Sequence, residues 1–205
     1  DVDEISFDAF VSDLETVVDA AKLDRFTLLG ISQGCAVSIA YAVRHPERVS
    51  RLVLYGGFAL GGNRRPQNAG EKEQRAAMLI LTRLGWGQDN PAFRQMFTSR
   101  FVPDGTKEQA DWFNELQRRA TSPENAVRYM EATGEIDVTQ LLSQVRVPTL
   151  VLHAREDVVA PFDLGRRMAA AIPGARLVPL QSKNHLILEN EPAFSRFLEE
   201  VGLFL

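Results

Sequence analysis

Two rhythms of apolar residues alternate along the chain. Stretches with apolar positions every third or fourth residue are interleaved with short, nearly continuous apolar runs. Ser6 precedes the first periodic stretch, in which Phe7, Phe10, Val11, Leu14, Val17, Val18 and Ala21 form one stripe. This predicts a capped helix ending near Lys22. The run Phe26–Ile31 predicts a strand. Residues 33–44 predict a helix whose small residues, Ala36, Ala40 and Ala42, let it lie close to a sheet before Pro46 ends it. Val49–Leu54, Val147–Ala154 and Ala175–Leu180 predict three more strands. A helix over Phe162–Ile172 stops at Pro173-Gly174, and a last helix opens at Pro192 with Phe194, Phe197, Leu198, Val201 and Phe204 on one face. Strand, helix, strand in succession implies parallel pairing with right-handed crossovers, the α/β class.

The middle of the chain has a different character. Residues 59–70 are rich in Gly, Asn, Arg and Pro and read as a loop. From Glu71 to Val145 the pattern is one of amphipathic helices without a strand: 72–84, 91–101, 107–120, 123–133 and a short 139–145. The expected organisation is a parallel-sheet core from residues 1–58 and 146–205, with a helical cap subdomain at 59–145. Both tryptophans and many of the other aromatics lie in the cap. Most are expected to fill its interior, and a few to line an apolar pocket against the core.

Composition narrows the function classes. The chain has 205 residues, 45% of them apolar, enough for one domain with an inserted subdomain. A net charge of −4 with scattered basic residues argues against nucleic-acid binding. No apolar run approaches the roughly 20 residues that span a bilayer, so no membrane partner is expected. Cys35 is the single cysteine; it excludes an internal disulfide and fits a reducing, cytoplasmic setting. The chain begins at Asp1 without methionine, so a trimmed amino end is expected, with targeting information lost.

The chemistry centres on Gly30-Ile31-Ser32-Gln33-Gly34, a G-x-S-x-G pattern between a predicted strand and a predicted helix. Such a turn is tight enough to strain the serine backbone, with Gly30 and Gly34 expected to relieve clashes between strand and helix. It presents the Ser32 hydroxyl over a helix amino end, where the Gln33 N–H is the natural donor to an oxyanion. Serine needs a base. Of three histidines, only His185 lies in a polar loop beyond a strand end. His45 sits at the wrong end of its helix and is read as structural. Asp157 follows the neighbouring strand and can orient His185. Glu156 is the rival acid, but Asp157 is better placed in the turn before Pro161. His153 is read as a core histidine that cannot easily face the acid of its own segment, and Cys35 as a small buried helix residue. No spacing of His and Cys suggests a metal, and no cofactor is needed. The order Ser32, Asp157, His185 fits one known arrangement of such triads.

With these residues placed, the chain resembles the α/β-hydrolase superfamily. The elbow Gly30–Gly34, the acid turn at Asp157 and the Asn184-His185 loop match its pattern, as does a cap between the second and third strands. Within it, Arg83-Leu-Gly-Trp-Gly-Gln-Asp-Asn-Pro91 and Phe113-Asn-Glu-Leu-Gln117 resemble bacterial hydrolase-like modules related to lactonases and non-haem haloperoxidases. Similar stretches occur fused to LuxR-type transcriptional regulators and to cyclase domains. The resemblance implies a serine hydrolase cleaving a small ester or lactone through an acyl-enzyme. An alternative is a hydrolase-fold small-molecule sensor domain of a regulator, with little or no turnover. A third is cofactor-free perhydrolysis of short acids by the same triad. The family's sheet carries more strands than the four found here, and its earlier strands bring a second oxyanion donor, often near a His-Gly pair that this sequence lacks. The chain therefore reads as the carboxyl-terminal part of a hydrolase domain. Its exposed edge at Phe26–Ile31 is expected to be covered by a missing amino-terminal segment or by a homo-oligomer.

Overall fold

A computed structural model describes residues 4–205; the first three residues of the acidic start lie outside the described residues. Four strands, β1 (Phe26–Ile31), β2 (Val49–Tyr55), β3 (Thr149–Ala154) and β4 (Arg176–Leu180), form one parallel sheet in the order β1-β2-β3-β4. The helices that flank it are α1 (Phe7–Ala20), α2 (Gly34–Arg44), α7 (Phe162–Ala171) and α8 (Pro192–Phe204). Between β2 and β3 run α3 (Ala69–Gly85), α4 (Ala92–Phe101), α5 (Lys107–Ala120) and α6 (Pro123–Gly134). The segment expected as a last short helix is a 3₁₀ turn over Thr139–Gln144.

Alternation along each strand splits the core in two. One face buries Leu52, Leu54 and Val151 against α2, α7 and the 3₁₀ turn, with Ile39, Met168 and Leu142 among the buried partners. Small residues let α2 sit directly on this face; Cys35, Ala36, Ala40 and Ala42 are all buried. The other face buries Val53, Tyr55, Leu150, Leu152, Val178 and Leu180 beneath Ala193 and Phe197 of α8. Each fully buried aliphatic side chain contributes about 1.5–3 kcal/mol relative to exposure. On this second face α8 covers β3 and β4 but not β1. Leu29 and Ile31, in register with Val53 and Tyr55, remain 47% and 44% exposed. Among the described residues β1 pairs only with β2, so it forms an open edge.

The inserted helices are closed at their root. The Ile136 carbonyl accepts from Gly61 N–H (2.7 Å), the Gly134 carbonyl from Asn63 N–H (2.9 Å) and the Ala59 carbonyl from Val138 N–H (2.9 Å). Entry and exit strands of the insertion are thereby zipped together. Its interior is less aromatic than the sequence implies. Trp112 is 64% exposed, whereas Trp86 packs edge-on to Phe97. A buried polar cluster joins α4 to α5: Thr98 Oγ1 donates to Asn114 Oδ1 (2.6 Å), and Gln117 Nε2 donates to Thr98 Oγ1 (2.9 Å).

Candidate active site

The turn from β1 to α2 is the tightest junction in the chain. Ser32 has a φ of 55°, in the left-handed region that a side chain enters only at a cost of about 1–3 kcal/mol. Gly30 makes the turn sterically feasible. A Cβ there would stand 2.6 Å from the Gly34 carbonyl oxygen, 2.7 Å from Ser38 Oγ and 2.8 Å from Cys35 Cα. Gly34 is different: a Cβ there meets nothing within 4 Å. The expectation that both flanking glycines relieve clashes therefore holds for Gly30 alone, because Gly34 already faces away from the strand. Cys35 fills the space beneath the elbow, with Sγ 3.2 Å from the Gly30 carbonyl and 3.4 Å from the Tyr55 carbonyl. Burial pushes its thiol well above the ordinary range, so it stays neutral and inert. Gly57, whose Cβ would fall 2.2 Å from Cys35 Sγ, completes this packing from the end of β2.

Ser32 is partly exposed, at the carboxyl end of β1. Its hydroxyl lies 2.9 Å from His185 Nε2. The other ring nitrogen, Nδ1–H, donates to Asp157 Oδ2 at 2.6 Å. Asp157 Oδ1 accepts from the N–H groups of Val159 (2.8 Å) and Ala160 (3.0 Å). The acid is 4% exposed and the imidazole 0%, so the His185–Asp157 bond runs through a dry environment that strengthens it. The rival acid Glu156 is exposed. Its backbone N–H binds the Ser182 carbonyl (3.1 Å), joining the acid and base loops. The Gln33 N–H has no acceptor among the described residues and lies at the amino end of α2, as a donor to an oxyanion must. The Gln33 side chain is hydrogen-bonded to the Tyr129 phenol of α6.

His185 is held from both sides. Asn184, 1% exposed, takes the Asp104 N–H on Oδ1 (3.0 Å) and gives Nδ2–H to Glu191 (3.2 Å). The Phe101 carbonyl accepts the N–H groups of His185 (2.9 Å) and Leu186 (3.1 Å). From the sheet, Gly56 (φ 59°) lies beside the ring; a Cβ there would make ordinary contact with His185 Cε1 at 3.5 Å.

His153 is a core histidine as expected, but it does face the acid of its own segment. It is fully buried, but its Nε2 lies 3.8 Å from Asp157 Oδ2, because the turn folds the acid back over the strand end. Nε2–H donates to the Ala160 carbonyl (2.6 Å), which fixes the tautomer, while Nδ1 has no partner. Burial lowers its pKa, the main cause, and keeps the ring neutral. His45 is remote from the site and binds Glu15 of α1 (2.9 Å). The roles of Phe101 and Gly56 were not evident from the sequence; the Gly56-Gly57 pair directly after a strand was the one local signal.

A serine, a histidine and a buried carboxylate in hydrogen-bonded sequence can activate an alcohol nucleophile. A model of the alpha/beta hydrolase fold family matches residues 2–192. The chain belongs to this family. Among relatives of this alpha/beta hydrolase, the AB hydrolase superfamily protein YisY of Bacillus subtilis is 28% identical over 186 residues, covering 87% of this chain and 66% of that protein. A 2-hydroxy-6-oxononadienedioate/2-hydroxy-6-oxononatrienedioate hydrolase of Cupriavidus pinatubonensis is 30% identical over 193 residues, covering 90% and 64%. An esterase from Exiguobacterium antarcticum superposes with a TM-score of 0.82 at 25% identity, over 97% of this chain and 73% of that one. The chain thus spans about two thirds of the length of these curated relatives.

Two predictions follow from the geometry of this hydrolase. Gly30→Ala should destabilise by about 1–3 kcal/mol or more, as overpacking does. Gly34→Ala should stay within about 1 kcal/mol of the parent, because it adds helix propensity without a clash. Urea unfolding of the two variants tests this, and equal losses would contradict it. For His153, a folded pKa depressed by burial means that the unfolded chain binds the proton more readily. Its contribution is therefore present above the ordinary histidine range and lost as pH falls through the folded pKa. His153→Gln should flatten the decline of stability below about pH 6.5 by up to about 1.4 kcal/mol per pH unit. Parallel curves for the two proteins would show that the ring is not buried neutral.

Proposed function

We propose that this alpha/beta hydrolase is a serine hydrolase that cleaves a small, fairly apolar ester or lactone. The observation that carries the reading is the continuous chain Ser32 Oγ, His185, Asp157, with contacts of 2.9 and 2.6 Å. Ser32 attacks the substrate carbonyl while His185 Nε2 takes its proton. Asp157 keeps Nδ1 protonated and stabilises the imidazolium that forms. The Gln33 N–H donates to the oxyanion at the amino end of α2. His185 then protonates the leaving alcohol oxygen, and water deprotonated by the same nitrogen hydrolyses the acyl-enzyme. The helices between β2 and β3 act as the cap that limits substrate size. The likeness to an esterase at 25% identity supports ester chemistry. The open edge of β1 is assigned to pairing with a further segment or a second copy, and the free, buried Cys35 fits the cytoplasm.

Hydrolysis of short-chain esters should fall by about 10³–10⁶ in kcat for Ser32→Ala and by about 10⁴ for Asp157→Asn, with little change in KM. Steady-state acid release by the parent and both variants checks this. Equal rates in the parent and Ser32→Ala would refute the assignment. Saturable ester binding without product would instead favour a sensor of the kind fused to LuxR-type regulators.

A further inference from the structure

We infer that Phe101, at the carboxyl end of α4, sets the size of the alcohol group that the site accepts. The inference rests on the hydrolase reading above and names the residue that decides its substrate range. When Ser32 Oγ bonds to the carbonyl carbon, that carbon carries three other substituents. The oxyanion lies toward the Gln33 N–H. The leaving oxygen must lie within hydrogen-bond reach of His185 Nε2, because that nitrogen supplies its proton as the carbon–oxygen bond breaks. The acyl chain takes the remaining direction, away from both. Whatever packs on the imidazole beside Nε2 therefore borders the alcohol group more closely than the acyl chain.

Most of the imidazole is already enclosed by groups that cannot admit substrate. Asp157 occupies Nδ1 and Ser32 occupies Nε2. Gly56 lies on the Cε1 side, where a Cβ would meet the ring at 3.5 Å. From the inserted helices, the Phe101 ring stands edge-on to the imidazole, with centroids 5.2 Å apart and planes at 87°. It is the only aromatic among the described residues in ring contact with His185.

This ring is anchored unusually firmly. Its own carbonyl accepts the N–H groups of His185 and Leu186 (2.9 and 3.1 Å), so Phe101 moves with the base loop. Behind it, Phe113 of α5 packs at 5.7 Å. The preceding residue, Arg100, donates from Nη2 to the Val158 carbonyl in the acid turn (3.0 Å). These bonds hold the Phe101 backbone and Phe113 backs its ring, and restrained walls discriminate where flexible ones adapt. The ring beside the imidazole is then the surface that alcohol groups branched next to the oxygen are expected to meet.

The test compares two ester series on the full chain by acid release at constant pH. One series holds the acyl group as acetate and varies the alcohol through methyl, butyl and cyclohexyl. The other holds methyl alcohol and varies the acyl chain from acetate to hexanoate. In Phe101→Ala, the ratio of kcat/KM for cyclohexyl over methyl acetate should rise about tenfold or more. The corresponding ratio in the acyl series should change less than about twofold. Phe101→Leu, which keeps an apolar side chain against Phe113, should fall between. Ratios that move together in both series, or in neither, overturn the inference while leaving the hydrolase reading intact. Absence of hydrolysis by the parent protein on every ester overturns both.

Discussion

The close approach of β1 to α2 at Gly30 is the constraint on which the rest of this molecule depends. With no side chain at that position, the Gly34 carbonyl and Cys35 Cα come within what would be contact distance of a Cβ. The chain can then reverse within two residues, and Ser32 is left in the left-handed region with its hydroxyl beyond the sheet. The strain at Ser32 is sustained by packing below it. Cys35 is wedged between the Gly30 and Tyr55 carbonyls, and Gly57 leaves room for its sulfur. A buried thiol with a raised pKa serves here as a small apolar filler, which explains a cysteine next to a nucleophile that takes no part in its chemistry.

The base is positioned by a different principle. His185 belongs to a loop, and loops need external restraints to hold a side chain to within a fraction of an ångström. Those restraints come from both the core and the inserted helices. Buried Asn184 and Ser182 form a polar network with half-buried Glu191 beneath the loop. The Phe101 carbonyl and Asp104 N–H fasten it from above. The insertion is therefore bonded to the chemistry it covers. The α4 terminus is hydrogen-bonded to the base loop and, through Arg100, to the acid turn.

Much of this was legible in the sequence. The strands and helices of the core follow from apolar periodicity, and their ends shift by at most two residues because terminal turns fray or tighten. The α/β class followed from strand, helix, strand, and the turn at Ser32 from Gly30 and the helix behind it. Other features were not legible, for physical reasons. His153 faces Asp157 because the Val159 and Ala160 N–H groups bond the Asp157 carboxylate and fold the turn back, a local side-chain-to-backbone geometry that the apolar pattern does not report. Gly34 carries the same letter as Gly30 without the same steric duty. The contact of Phe101 with His185 joins segments far apart in the chain, and helical spacing alone says which residues share a face, not what that face meets.

The central claim is that Ser32 is activated by the hydrogen-bonded chain behind it. Labelling the full chain with a fluorophosphonate and reading intact mass tests this most directly, because only an activated serine attacks phosphorus at a useful rate. The account predicts one adduct per chain, absent from Ser32→Ala and formed far more slowly in His185→Ala. An unlabelled parent protein, or an adduct that persists in Ser32→Ala, would contradict it.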